Sequence, residues 1–174
     1  MTGYKKGNED NFEARQRLRL QLDAAASENL SGSVIFEMGD QIWGQSATGG
    51  ALGADGTVVE VKNAWLDWMM PDTDIKVRMG LQGFFLPSMT TGSQVWGDDA
   101  AGITASWQIN ENVALTGLWA RLYNDNFQGY GSDAARKNYM DNVDVAALLL
   151  PLTFDGFRLT PWAMYAGIGP NSLK

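Results

Sequence analysis

The chain has no cysteine and no histidine. Without cysteine there is no disulfide, no zinc–thiolate centre and no thiol nucleophile. Without histidine the commonest general base and the commonest transition-metal ligand are gone. No stretch reaches the roughly 18 consecutive apolar residues that a membrane-crossing helix needs. The longest apolar run, 145–152, is broken by Pro151. Met1 is followed by Thr-Gly-Tyr-Lys-Lys-Gly-Asn-Glu-Asp, which has no apolar core and is not a signal peptide. Positive charge is in deficit, with 13 Lys and Arg against 20 Asp and Glu and a formal charge of -7. That balance argues against nucleic acid, because a phosphate-binding surface needs a basic excess.

What the chain does have is glycine, 20 residues of it, and aromatics at 11%. Both suit a β-rich chain with many turns. At 174 residues, one domain over 1–174 is the default. The most informative stretch is 12–26, where Arg15, Arg17 and Arg19 alternate with Leu18, Leu20 and Leu22. Successive side chains of a strand point to opposite faces. One face therefore reads Ala14, Leu18, Leu20, Leu22, Ala24, broken only by Gln16, and the other reads Glu13, Arg15, Arg17, Arg19, Gln21, Asp23. A soluble strand averages about 5–6 residues. A tilted strand of about 9–11 residues, greasy on one side and wet on the other, is what crosses a bilayer as part of a barrel.

Alternation and turn chemistry predict about eight strands. They cover 12–26, 33–43, 58–70, 75–86, 101–109, 113–123, 143–154 and 157–167. The cleanest is 75–86, with Ile75, Val77, Met79, Leu81 and Phe85 on one face and Lys76, Arg78, Gly80 and Gln82 on the other. The sixth and seventh segments are apolar on both faces, which implies packing against something other than plain lipid or water, such as a neighbouring subunit. The connections alternate in length: 27–32, 71–74, 110–112 and 155–156 are short, while 44–57, 87–100 and 124–142 are long. Outer-membrane barrels sort their loops this way, short on the periplasmic side and long outside. Phe12, Trp43, Tyr123 and Tyr165 gather toward the long end, and Trp68, Trp107, Phe154 and Phe157 toward the short end. Aromatic rings favour the two water–lipid interfaces. By the same count both chain ends fall on the long-loop side. Bacterial barrels begin and end on the other side, so the expectation is a fragment that lacks at least one strand before Thr2 and more after Lys174.

The segments 8–23 (Asn-Glu-Asp-Asn-Phe-Glu-Ala-Arg-Gln-Arg-Leu-Arg-Leu-Gln-Leu-Asp), 59–68 (Val-Glu-Val-Lys-Asn-Ala-Trp-Leu-Asp-Trp) and 77–82 (Val-Arg-Met-Gly-Leu-Gln) resemble an outer-membrane homotrimeric general-diffusion porin. The type is that of sulfate-reducing bacteria, and the likeness covers the N-terminal half of such a protein. It rests on the order of segments and not on one diagnostic motif. The resemblance implies a sixteen-stranded, up-and-down transmembrane β-barrel in the outer membrane of a Gram-negative bacterium. It implies a trimer in a lipid bilayer, passing small hydrophilic solutes and ions, without catalysis, cofactor or metal. In such porins the loop after the fifth strand folds inward. With one strand missing, the loop carrying Asp98 and Asp99 takes that position. The chain lacks the family's C-terminal aromatic, since it ends Asn-Ser-Leu-Lys.

On that reading Arg15, Arg17 and Arg19, about 6.7 Å apart along the strand, form a ladder of cations. Lys76 and Arg78 extend it, and Asp98 and Asp99 oppose it. Charged rings select by field, and water is needed to screen cations so close together. The plainer alternative is the solvated outer face of a soluble sheet, and Gly-Asp-Asp is ordinary loop composition. Other motifs are weaker. Asp72, Asp74, Asp98 and Asp99 do not fit the EF-hand pattern. The glycines of 49–56 lack the Lys-Ser/Thr of a P-loop. Asn29-Leu30-Ser31 is a sequon without meaning in a bacterium. Glu37 and Asp67 as a hydrolytic carboxylate pair is remote, since wall carboxylates belong in any water-filled lumen. Three other readings stay open: a small closed eight-stranded anchor barrel, a soluble β-sandwich binding module, and, least supported, a soluble enzyme.

Overall fold

Period-two alternation interrupted by turn-forming segments builds one long meander. The computed structural model describes residues 13–53, 59–89, 92–124, 142–169 and 172. Its strands are β1 Arg15–Ala25, β2 Leu30–Ile42, β3 Val59–Met69, β4 Ile75–Phe85, β5 Gly97–Gln108, β6 Ala114–Asn124, β7 Asn142–Leu149, β8 Leu152–Phe154, β9 Phe157–Leu159 and β10 Trp162–Ile168. A 3-10 turn, Ser46–Thr48, follows β2. Eight strands form one antiparallel sheet in the order β1-β2-β3-β4-β5-β6-β7-β10, and β8 and β9 form a separate hairpin. The sheet has β1 at one edge and β10 at the other. Connections 26–29, 70–74, 109–113 and the β8–β9 hairpin lie at one end of the sheet, and β2, β4 and β6 end, and β3, β5 and β7 begin, at the other. Phe12 and residues 125–141 lie outside the described residues.

The register gives the sheet two distinct faces. One cross-strand row reads Ala24, Gly32, Leu66, Met79, Ile103, Trp119, Ala146, Tyr165, apolar across all eight strands. This face is open: Leu18 is 59% exposed, Leu66 49%, Leu148 53% and Tyr165 75%. The opposite face is the more enclosed one. On it Phe84, Ala100 and Ala120 are buried together, with Trp96 and Leu118 against them. Phe84 and Trp96 stack at 5.3 Å, a contact worth about 0.5–1.5 kcal/mol beyond burial. In the apolar strand β7, Val145 and Ala147 are buried on the enclosed face, whereas Leu148 is exposed on the other. The inner side chains Leu118 and Ala120 of β6 thus pack against this chain's own β4–β5 hairpin.

Three sequence expectations are corrected. The stretches 143–154 and 157–167 are not continuous strands. Both break at prolines, Pro151 and Pro161, which have no N–H to give to a ladder. Across the break Leu150 N–H donates to the Pro161 carbonyl at 2.9 Å. Because β10 starts after Pro161, Tyr165 sits in its middle and not at a strand end. Finally, Asp98 and Asp99 belong to β5, which starts at Gly97, and not to the loop before it. They pair across the ladder with Phe84 and Gly83, so backbone hydrogen bonding extends the β4–β5 hairpin over the segment read as loop.

Gly80 marks a close approach of the β3 and β4 backbones. Its φ of 131° lies in the region that side chains disfavour. A Cβ there would sit 2.3 Å from the Ala64 carbonyl oxygen and 2.8 Å from Trp65 Cα. We expect Gly80→Ala to cost about 1–3 kcal/mol, read as a lower unfolding midpoint by circular dichroism. An unchanged midpoint would show that β3 and β4 separate there without penalty.

Candidate functional site

The charged residues of the enclosed face are laid out by the ladder. Arg15, Arg17 and Arg19 share one face of β1, as their spacing predicts. In register, Arg19 stands opposite Glu37 of β2, and its Nε donates to Glu37 Oε2 at 2.5 Å. Arg17 Nε lies 3.5 Å from Glu37 Oε1, so one carboxylate sits between two guanidinium groups. A bulge between Gln16 and Arg17 adds a residue to β2, and Asp40 there takes a φ of 56°. Asp40 Oδ1 accepts from Arg17 Nη2. Arg15 pairs with Glu13 on its own strand. These side chains are largely exposed, and each such pair contributes about 0.2–1 kcal/mol.

A second cluster joins β3 and β4. Asp67 stands opposite Arg78, and they form a two-pronged ion pair, Nε to Oδ1 at 2.7 Å and Nη2 to Oδ2 at 2.8 Å. Lys76 Nζ lies 3.1 Å from Asp67 Oδ2. The guanidinium of Arg78 also lies 4.6 Å from the centre of the Trp65 ring. Fork geometry and the aromatic face both suit arginine over lysine. Again one carboxylate answers two cations.

Asp99 makes a third. The β3–β4 ladder ends at Ala64 and Leu81. Beyond it Asp99 reaches Lys62 and accepts from Asn63 Nδ2 at 2.9 Å. Asp98 Oδ1 accepts from the Asp99 backbone N–H at 2.8 Å. Of the residues singled out in the sequence, the structure brings together the three arginines of β1, and separately Lys76 and Arg78. Asp99 lies within the electrostatic reach of Arg19, while its hydrogen bonds go to Lys62 and Asn63. The direct partners of Arg17 and Arg19 are Glu37 and Asp40, which the sequence reading did not assign to them. Glu37 and Asp67 are both engaged by cations, on different strands and in different clusters. Among the described residues no group of three or more acids gathers as a metal ion would need.

Because Asp67 alone neutralises part of two cations, Asp67→Asn leaves Lys76 and Arg78 unanswered. We expect a loss of about 1–3 kcal/mol, with Lys76→Gln in the same background restoring part of it, both measured by thermal unfolding. Equal midpoints for wild type and Asp67→Asn would remove this cluster from the account of stability. Compared with known protein families, curated proteins and solved structures, the chain matches none of them.

Proposed function

We propose that this sheet is part of the wall of an outer-membrane β-barrel through which small hydrophilic solutes and ions diffuse passively, with no catalytic step. The observation that carries the reading is the open apolar face. An eight-strand row whose last member, Tyr165, is the first to carry a hydroxyl is a larger greasy surface than a soluble protein leaves uncovered. Hydrocarbon is the cover that matches its breadth, and alternate residues then face the lumen. The clusters around Glu37 and Asp67 lie on that other face, where water must reach them, while Arg121 and Asp144 neutralise each other on the apolar side. Strand length and the segregation of long connections to one end of the sheet point the same way. Trp68 and Trp107 near the short end, and the stacked Phe154 and Phe157 beyond them, fit an interfacial girdle.

Hydrocarbon does not tolerate unpaired strand edges. On this reading β1 and β10 meet further strands of the same wall, and a homotrimer in the outer membrane of a Gram-negative bacterium is the proposed assembly. Glu13, Glu37 and Asp40 match the three arginines of β1 in number, whereas Asp67 alone serves Lys76 and Arg78, so the excess of positive charge on this face stands on β4.

The test is conductance. The protein expressed from its complete gene, reconstituted in planar bilayers, should give stepwise, weakly selective channels. Replacing Arg15, Arg17 and Arg19 by Glu should move the reversal potential in a salt gradient toward cations. An unmoved potential would reject these arginines as lumen residues. Leu20→Arg places a cation on the apolar face at a cost of about 2–4 kcal/mol at mid-bilayer, and should block assembly into detergent-resistant barrels. Normal assembly of that variant would reverse the assignment of the two faces.

A further inference from the structure

The enclosed face changes character from strand to strand, and the change is graded. Its rows read Asp67, Arg78, Thr104, Leu118, Ala147 and Met69, Lys76, Ser106, Thr116, Leu149 from β3 to β7. Charge stands on β3 and β4, hydroxyls on β5 and β6, hydrocarbon on β6 and β7. A recess of about 310 Å³ spans that gradient, with Lys76 and Arg78 at one side and Leu118 and Leu149 at the other. Thr104, Ser106 and Thr116 line its middle. Its size is at the small end of ligand pockets.

The hydrogen-bond inventory of the recess is incomplete in a particular way. Lys76 and Arg78 share one carboxylate, so their side keeps an excess of positive charge. Ser106 and Thr116 hydroxyls lie 3.0 Å apart. Only one hydrogen occupies that contact, so the pair retains one O–H to give. Thr104 donates to Gln82 Oε1 at 3.4 Å and keeps lone pairs to accept. Adjacent strands are about 4.8 Å apart, so a molecule lying across them meets the three environments in turn.

We propose that this recess is a binding site for short-chain hydroxycarboxylates. The carboxylate lies against Lys76 and Arg78, a hydroxyl a few carbons away meets the Ser106–Thr116 pair, and the hydrocarbon end rests on Leu118 and Leu149. The proposal names a solute class for the channel read above, and it rests on that reading in requiring that this face be wet.

Binding is measured by calorimetry on the detergent-purified protein from its complete gene, and transport by bilayer conductance. The probes are 3-hydroxyhexanoate, hexanoate (no hydroxyl) and hexane-1,3-diol (no charge). We expect 3-hydroxyhexanoate to bind about tenfold more tightly than either comparator, the scale of one lost hydrogen bond to a charged or buried group. Lys76→Gln should remove that advantage and Lys76→Arg should restore it. Thr116→Val should bring 3-hydroxyhexanoate down to the level of hexanoate. Equal affinity for all three probes, or no effect of Lys76→Gln in a protein that melts normally, overturns the site. Open channels without preferential binding overturn the site and leave the channel standing. Preferential binding without channels leaves the site and overturns the channel.

Discussion

The ladder of backbone hydrogen bonds between neighbouring strands decides almost everything else in this molecule. Once β1 is registered on β2, each side chain is assigned to a face, and the assignment passes from strand to strand as far as β10. The greasy row from Ala24 to Tyr165 and the polar rows beside it are products of that one constraint. No local preference of a leucine or an arginine builds such a surface by itself. A shift of one residue in any ladder would send the polar set of that strand to the wrong side.

The two faces solve opposite problems. The open face is apolar except toward its long-connection end, where Arg121 and Asp144 form a two-pronged ion pair beside Trp119, and it needs a cover. The enclosed face carries its charges in shared groupings, Glu37 between Arg17 and Arg19, Asp67 between Lys76 and Arg78. In the first grouping Asp40 completes the balance, and in the second Asp67 is one acid for two cations, which draws water and counter-ions to β4. Toward β7 the same face turns to buried Val145 and Ala147, and between them the Phe84–Ala100–Ala120 cluster forms a small core. One side of this face is therefore charged and the other apolar.

Much of this was legible in the sequence. Strand existence, the up-and-down order and the facing of Arg15, Arg17 and Arg19 follow from alternation alone. The partners of those arginines did not. The first turn occupies 26–29 and not 27–32, which shifts every partner along β2, and the bulge at Asp40 adds a residue that no alternation reveals. Asp98 and Asp99 were misplaced because Gly-Asp-Asp carries turn chemistry while its backbone pairs as strand. Parity in β6 and β7 was illegible because both faces are apolar; only burial separates Val145 from Leu148. The prolines at 151 and 161 were visible, and their meaning was underweighted: a missing donor outranks a favourable pattern of side chains.

Those prolines have one more implication. Between the strands that lead into the β8–β9 hairpin, Leu150 to Pro161 is the hydrogen bond that spans the proline pair. The hairpin is fastened sideways instead: Thr153 N–H donates to the Asn112 carbonyl, Asn112 Nδ2 donates back to the Thr153 carbonyl, and Ala114 N–H donates to the Pro151 carbonyl. The tip therefore leans on the turn before β6 as much as on the two strands that carry it.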